Sequence, residues 1–174
     1  RALREGAAWL DLAGRGHIRM TGPDRVRLAH AMTTQHIEQL RAGQLTYAFL
    51  LNAQGRILAD VNVIATADAL LLDTEAATRR LVLEHVDRYI IADDVTLEDL
   101  SDATAAIGLE GPSTAALLDA LGAPRPDAGH WAAWDHRIVA ALSATGLPGV
   151  RIFCPAAEKA PLIAVLEAAG APLR

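Results

Sequence analysis

Residues 45–51 and 56–66 are two apolar, strand-like runs joined by Asn52-Ala53-Gln54-Gly55, and no other segment constrains the fold as strongly. Asparagine folds its side chain back onto following amides and glycine accepts positive φ, so these four residues predict a tight antiparallel hairpin. Asp68 marks a second tight connection into 69–72, which extends the hairpin to a three-stranded meander.

The meander needs helices to cover one face. Thr21-Gly22-Pro23-Asp24 follows a short strand at 17–20, and proline suits a first helical turn while aspartate suits its positive end. The helix starting there carries Val26, Ala29, Met32 and Leu40 on its apolar side. Thr74 is predicted to cap a second helix running to about Asp87, and 95–100 to form another strand, so the first hundred residues read β-α-β-β-β-α-β.

Beyond them, a strand at 103–109 leads to a helix start at Gly111-Pro112-Ser113 and a polar linker at 122–129. Strands at 136–142 and 149–153 then precede a helix at 156–169 ended by Gly170. This β-α-β-β-α succession is a split β-α-β, ferredoxin-like unit without its last strand. The expected architecture is α+β, two small mixed β/α units divided as 1–101 and 102–174. The second is expected to be incomplete at its C-terminal end, and the chain, which begins with Arg1, to lack its original start.

At 174 residues and 52% hydrophobic, the chain can bury roughly two-thirds of its unfolded surface, which excludes a disordered protein. The net charge of −5 comes with scattered arginines and no basic stripe, so duplex nucleic acid is not an expected partner. No apolar run is long enough for a transmembrane helix, so no membrane partner is expected. Cys154, the single cysteine, permits no internal disulfide or thiolate cluster and predicts a reducing, cytoplasmic setting; next to Phe153 and Pro155 it reads as a small apolar filler.

Familiar catalytic signatures are missing. No GxSxG, GxxxxGK[ST] or HExxH occurs, and Gly14-Arg15-Gly16 leads into a strand rather than a dinucleotide-binding helix. The six histidines, including His130 and His136 six positions apart, lack helical ligand spacing or a nearby thiolate, so structural or exposed roles and no metal are expected.

Asp60 stands out, because its strand is otherwise largely apolar. With period two, Asp60, Asn62 and Ile64 share one face while Ala59, Val61 and Val63 point to the other. A carboxylate there is either solvated and held by the turn, or buried with a hydrogen bond or cation and available for chemistry. Tyr47, on the preceding strand, fills the core or faces a flat heteroaromatic ligand, the core being the simpler reading. Arg15, Arg19 and Arg151 solubilise sheet edges or present planar forks to a carboxylate-bearing ligand.

Four segments in series, Thr21-Gly22-Pro23-Asp24, the hairpin from Tyr47 through Gln54-Gly55-Arg56 to Asp60, Gly108-Leu109-Glu110-Gly111-Pro112 and Thr145-Gly146-Leu147-Pro148-Gly149, resemble the folate-binding family of glycine cleavage T-proteins and YgfZ-like proteins. The resemblance covers nearly the whole chain. It implies a tetrahydrofolate-type ligand, with Asp60 matching the family aspartate near the reacting nitrogens. Tyr47, Asn62 and Ile64 would line the cavity, and Arg15 and Arg19 would approach it.

Asp73, Arg151 and Ala144 stand where aminomethyltransferases place asparagine, glutamate and tyrosine, and with 88–95 they look more like the YgfZ branch. That branch implies a folate-binding protein that supports iron–sulfur enzymes or their assembly proteins, and a Lys-Gly-Cys segment expected beyond Arg174. The alternatives are a tetrahydrofolate-dependent aminomethyltransferase and an interaction module without ligand.

Overall fold

The structure, a computed structural model, describes residues 2–173. In chain order its elements are α1 (Ala2–Glu5), β1 (Ala8–Asp11), β2 (Gly16–Thr21), α2 (Arg25–Met32), β3 (Leu45–Leu51), β4 (Ile57–Ala65) and β5 (Leu70–Thr74). There follow α3 (Arg79–Arg88), β6 (Thr96–Asp99), β7 (Thr104–Glu110), α4 (Thr114–Ala120), β8 (Trp131–Trp134), β9 (Arg137–Ala140), β10 (Gly149–Pro155) and α5 (Lys159–Ala168). The class is α+β, and the strands form two five-stranded antiparallel sheets, one in each of two compact units.

The unit Gly14–Ser101 has strand order β3-β4-β5-β2-β6 and the β-α-β-β-β-α-β succession read from the sequence. In the connection between β3 and β4, Asn52 Oδ1 accepts the amides of Gln54 and Arg56 at 3.0 and 2.9 Å, and Gly55 takes φ of 74°. Alternation then sends Val61, Val63, Leu72 and Met20 into a core with Leu28, Ala29 and Met32 of α2 and Val82 and Val86 of α3. Each large aliphatic side chain buried there contributes about 1.5–3 kcal/mol relative to exposure.

Two local expectations change. Helix α2 stops at Met32 because Thr33 is extended and its hydroxyl donates to the Ala29 carbonyl at 2.8 Å; Leu40 packs on the core from beyond a short 3-10 turn instead. Thr74 is not a helix cap. It remains in β5, paired with Gly16 and Val61, and its hydroxyl donates to the Asp60 carbonyl at 2.8 Å, while α3 begins only after a 3-10 turn at Ala76–Thr78.

The other unit joins the segment up to Ala13 to the chain from Asp102 onward, with strand order β1-β7-β10-β9-β8. Residues 1–101 were expected to form one part, but β1 pairs with β7, Ala8 opposite Glu110 and Asp11 opposite Ile107, which places the first strand in this second sheet. The strand expected at 136–142 is the hairpin β8–β9, turning at Asp135 with φ of 54°, so His136 sits in the turn. Ile107, Leu109, Val139 and Ile152 from the sheet pack with Leu118 of α4 and Leu162 and Leu166 of α5. Cys154 is buried in that core as an apolar filler; burial pushes its thiol pKa up, with Arg137, Glu158 and Lys159 exerting smaller, partly opposing effects.

Candidate functional site

Pairing register decides which side chains of the Gly14–Ser101 sheet share a face. Tyr47 lies opposite Asn62, Asn62 opposite Asp73, and Asp73 opposite His17, so a polar row crosses β3, β4, β5 and β2 on the side away from Val61 and Val63. Asp60 lies opposite Phe49, diagonal to Tyr47, and Ile64 lies between Leu45 and Leu71.

The Tyr47 hydroxyl donates to Asp60 Oδ2 at 3.1 Å, and its ring meets Phe49 edge-on with centroids 5.4 Å apart. Tyr47 is 48% exposed and is therefore not a core residue, whereas Asp60 is half-buried. Partial desolvation, then the hydrogen bond to Asp60 and that group's negative charge, push the Tyr47 phenol above its ordinary pKa.

The deepest group in the row is Asp73, 1% exposed. Asn62 Nδ2 donates to its Oδ2 at 2.8 Å, and Arg15 clasps it with Nε on Oδ1 at 2.7 Å and Nη2 on Oδ2 at 3.2 Å. Arg15 also binds Glu75, and His17 Nε2 stands 3.7 Å from Asp73 Oδ1. Burial alone would lower the Arg15 pKa; the hydrogen bonds and charges of Asp73 and Glu75 outweigh it and raise the value.

The seven residues singled out from the sequence are thus placed as follows. Tyr47 and Asp60 are bonded to each other, and Asn62 joins Arg15 through Asp73. Ile64 is buried on the same face, while Arg19 turns outward to Asp68 at 2.9 Å and Glu98 at 3.7 Å. Arg151 belongs to the other unit, buried on β10 between Gly108 and Ala140. The sequence reading passed over His17 and Glu75 and treated Asp73 only as a marker of branch. An acid at the end of the Leu-rich strand β5, two positions from Leu71, was the signal for it.

A second polar centre lies in the other unit. The fully buried Glu110 carboxylate accepts the hydroxyls of Ser143 and Thr145 at 2.7 and 2.5 Å and the Ala144 amide at 2.5 Å, while Gly111 N–H donates to the Pro148 carbonyl at 2.8 Å. The Gly108–Pro112 and Thr145–Gly149 segments, far apart in sequence, are therefore joined through one acid.

Fold and site together define an α+β protein whose inserted unit presents a polar, carboxylate-bearing sheet face. The chain belongs to the GCVT N-terminal domain family, whose model matches residues 1–173. It is 30% identical to an aminomethyltransferase of Rubrobacter xylanophilus over 98% of this chain and 48% of that protein, and 29% identical to one of Chlorobium luteolum over 99% of this chain and 50% of that protein. The chain thus spans about half the length of these relatives. Among solved structures, the glycine cleavage system aminomethyltransferase T from Bartonella henselae superimposes with a TM-score of 0.86 at 21% identity, covering 94% of this chain and 46% of that one. A heterotetrameric sarcosine oxidase from Corynebacterium sp. U-96 gives a TM-score of 0.63 at 17% identity over 94% of this chain and 83% of that one. These two likenesses concern the fold.

Proposed function

We propose that this chain is the tetrahydrofolate-binding part of a one-carbon transferase of the aminomethyltransferase type. The observation that carries the reading is the half-buried Asp60 carboxylate, fixed by the Tyr47 hydroxyl at 3.1 Å, at the position where the family resemblance puts its aspartate. The residues fit such a ligand: an acceptor in Asp60, a phenol in Tyr47 and two exposed or half-buried rings, Tyr47 and Phe49, beside which a flat heterocycle can lie. Reduced folate would supply the nitrogens that carry the one-carbon unit. Asp60 would orient one of those nitrogens and hold a proton there, and Tyr47 would keep the carboxylate pointed along the sheet face.

Within the row, Asn62 and Arg15 would act through Asp73, whose bonds to both set the floor of the face. The fork of Arg15 is engaged by Asp73 and Glu75, so a ligand carboxylate would have to be met elsewhere. A cytoplasmic, reducing setting suits the buried free thiol of Cys154.

The role in supporting iron–sulfur enzymes is the lesser reading. In its favour stands Asp73, an acid built into the site where the transferases place asparagine; against it stand the aminomethyltransferases that match 98 and 99% of the chain.

Titrating the protein with tetrahydrofolate tests the proposal. Saturable binding weakened at least tenfold by Asp60→Asn and unchanged by Asp135→Asn, on the β8–β9 turn of the other unit, supports it. No binding at high micromolar concentration overturns it in favour of a module without ligand.

A further inference from the structure

We propose that His30, His36 and Glu38 form a binding site for a borderline divalent cation of the zinc class. The three offer Nε2 or Nδ1 of two imidazoles and a carboxylate oxygen, all within 4.8 Å of one another. The imidazole rings lie 4.6 Å apart between centroids, and His30 Nε2 is 3.9 Å from Glu38 Oε2. A tetrahedral zinc ion needs ligand atoms about 3.3 Å apart, given bonds near 2.0–2.1 Å. His36 and Glu38 are exposed and His30 is half-buried, so small rotamer changes close that gap without moving the backbone.

Three local features favour a cation. His30 Nδ1 lies 3.3 Å from the Gln35 carbonyl oxygen, which only accepts, so Nδ1 carries the proton and Nε2 keeps its lone pair toward Glu38. This is the arrangement that orients ligating histidines generally, with the remote ring nitrogen anchored to a backbone oxygen. His30 also lies in the last turn of α2, where unpaired carbonyls place partial negative charge. Among the described residues, the Glu38 carboxylate has no closer hydrogen-bond donor, whereas Arg41 binds the Glu38 backbone carbonyl and steadies the turn.

The His–carboxylate pairs elsewhere lack this character: the Asp73 carboxylate near His17 is already clasped by Arg15. His136 shares Glu158 with Arg137, whose guanidinium donates to that carboxylate at 2.7 and 3.0 Å, so the acid already has a permanent cation. Among the described residues the set at 30, 36 and 38 has no such competitor, and its exposure leaves the remaining coordination positions to water.

Calorimetric titration of the untagged protein with zinc chloride alone tests the site. One equivalent should bind, with His30→Gln and His36→Gln each weakening affinity at least tenfold, Glu38→Gln weakening it several-fold, and His136→Gln leaving it unchanged. In the unaltered protein, the ring-proton NMR signals of His30 and His36 should shift on zinc addition while those of the other four histidines stay in place. Absence of binding below a millimolar, equal affinity in the His36→Gln variant, or shifts confined to other histidines would overturn the proposal.

Discussion

Asn62 and Asp73 face each other directly across β4 and β5, and the amide of one donates to the carboxylate of the other at 2.8 Å. That bond and the two from Arg15 satisfy an acid that has left water almost completely. A buried ion of this kind gives structure only while its partners remain in place.

Asp73→Ala should therefore lower unfolding stability by about 3–5 kcal/mol, because the Arg15 guanidinium loses its main counter-charge while still largely buried. Replacing both Arg15 and Asp73 with leucine should recover part of the loss. Urea midpoints of the two variants check this, and a double variant weaker than Asp73→Ala would contradict it.

The Tyr47–Asp60 bond has an optical signature. The protein has two tyrosines, and the phenol at 47 should ionise above the usual value of 10 because of desolvation and its acidic neighbour. Absorbance at alkaline pH should show a late-titrating component that Tyr47→Phe removes and Asp60→Asn moves back toward 10. A late component untouched by Asp60→Asn would mean that the two side chains do not meet in solution.

Acid should weaken the Gly14–Ser101 unit through Asp99. Desolvation pushes this carboxyl up, but the Ser101 hydroxyl, the Arg79 guanidinium and the Ser101 amide together outweigh it and set the folded pKa below 3.8. The stability this provides is complete above 3.8 and is lost as pH falls through the lower folded value. Ser101→Ala should thus be destabilised relative to the parent at pH 6, with the difference shrinking toward pH 2. A pH-independent difference in urea midpoint would show that the hydroxyl acts through its bond from the His17 amide at 2.9 Å and not through Asp99.

Much of this was readable from residue order. Asn52 and Gly55 specify their turn by local chemistry, and the alternation after Arg56 put Asp60, Asn62 and Ile64 on one face as found. Strand β8 escaped because it is four residues long and pairs locally with β9 through a turn at Asp135 that lacks the usual glycine signal; β1, equally short, finds its partner about a hundred positions away. The same holds for Asp73: its depth and its hold on Arg15 depend on which strand lies beside β5, information that period-two patterning does not carry. Thr74 misled because a threonine before a helical run serves equally well as the last rung of a ladder.

The placement of β1 beside β7 sets an order of events on the ribosome. Gly14–Ser101 is one uninterrupted stretch whose two ends meet, Leu100 N–H donating to the His17 carbonyl, so it can finish folding as soon as it emerges. The strand Ala8–Asp11 leaves the exit tunnel ahead of that unit yet must wait for Thr104–Glu110, roughly ninety residues later, which at about 5–20 residues per second is a delay of several seconds. During that interval its Trp9 and Leu10 are available to chaperones or to the wrong neighbour, which leaves this strand open to misassembly during synthesis.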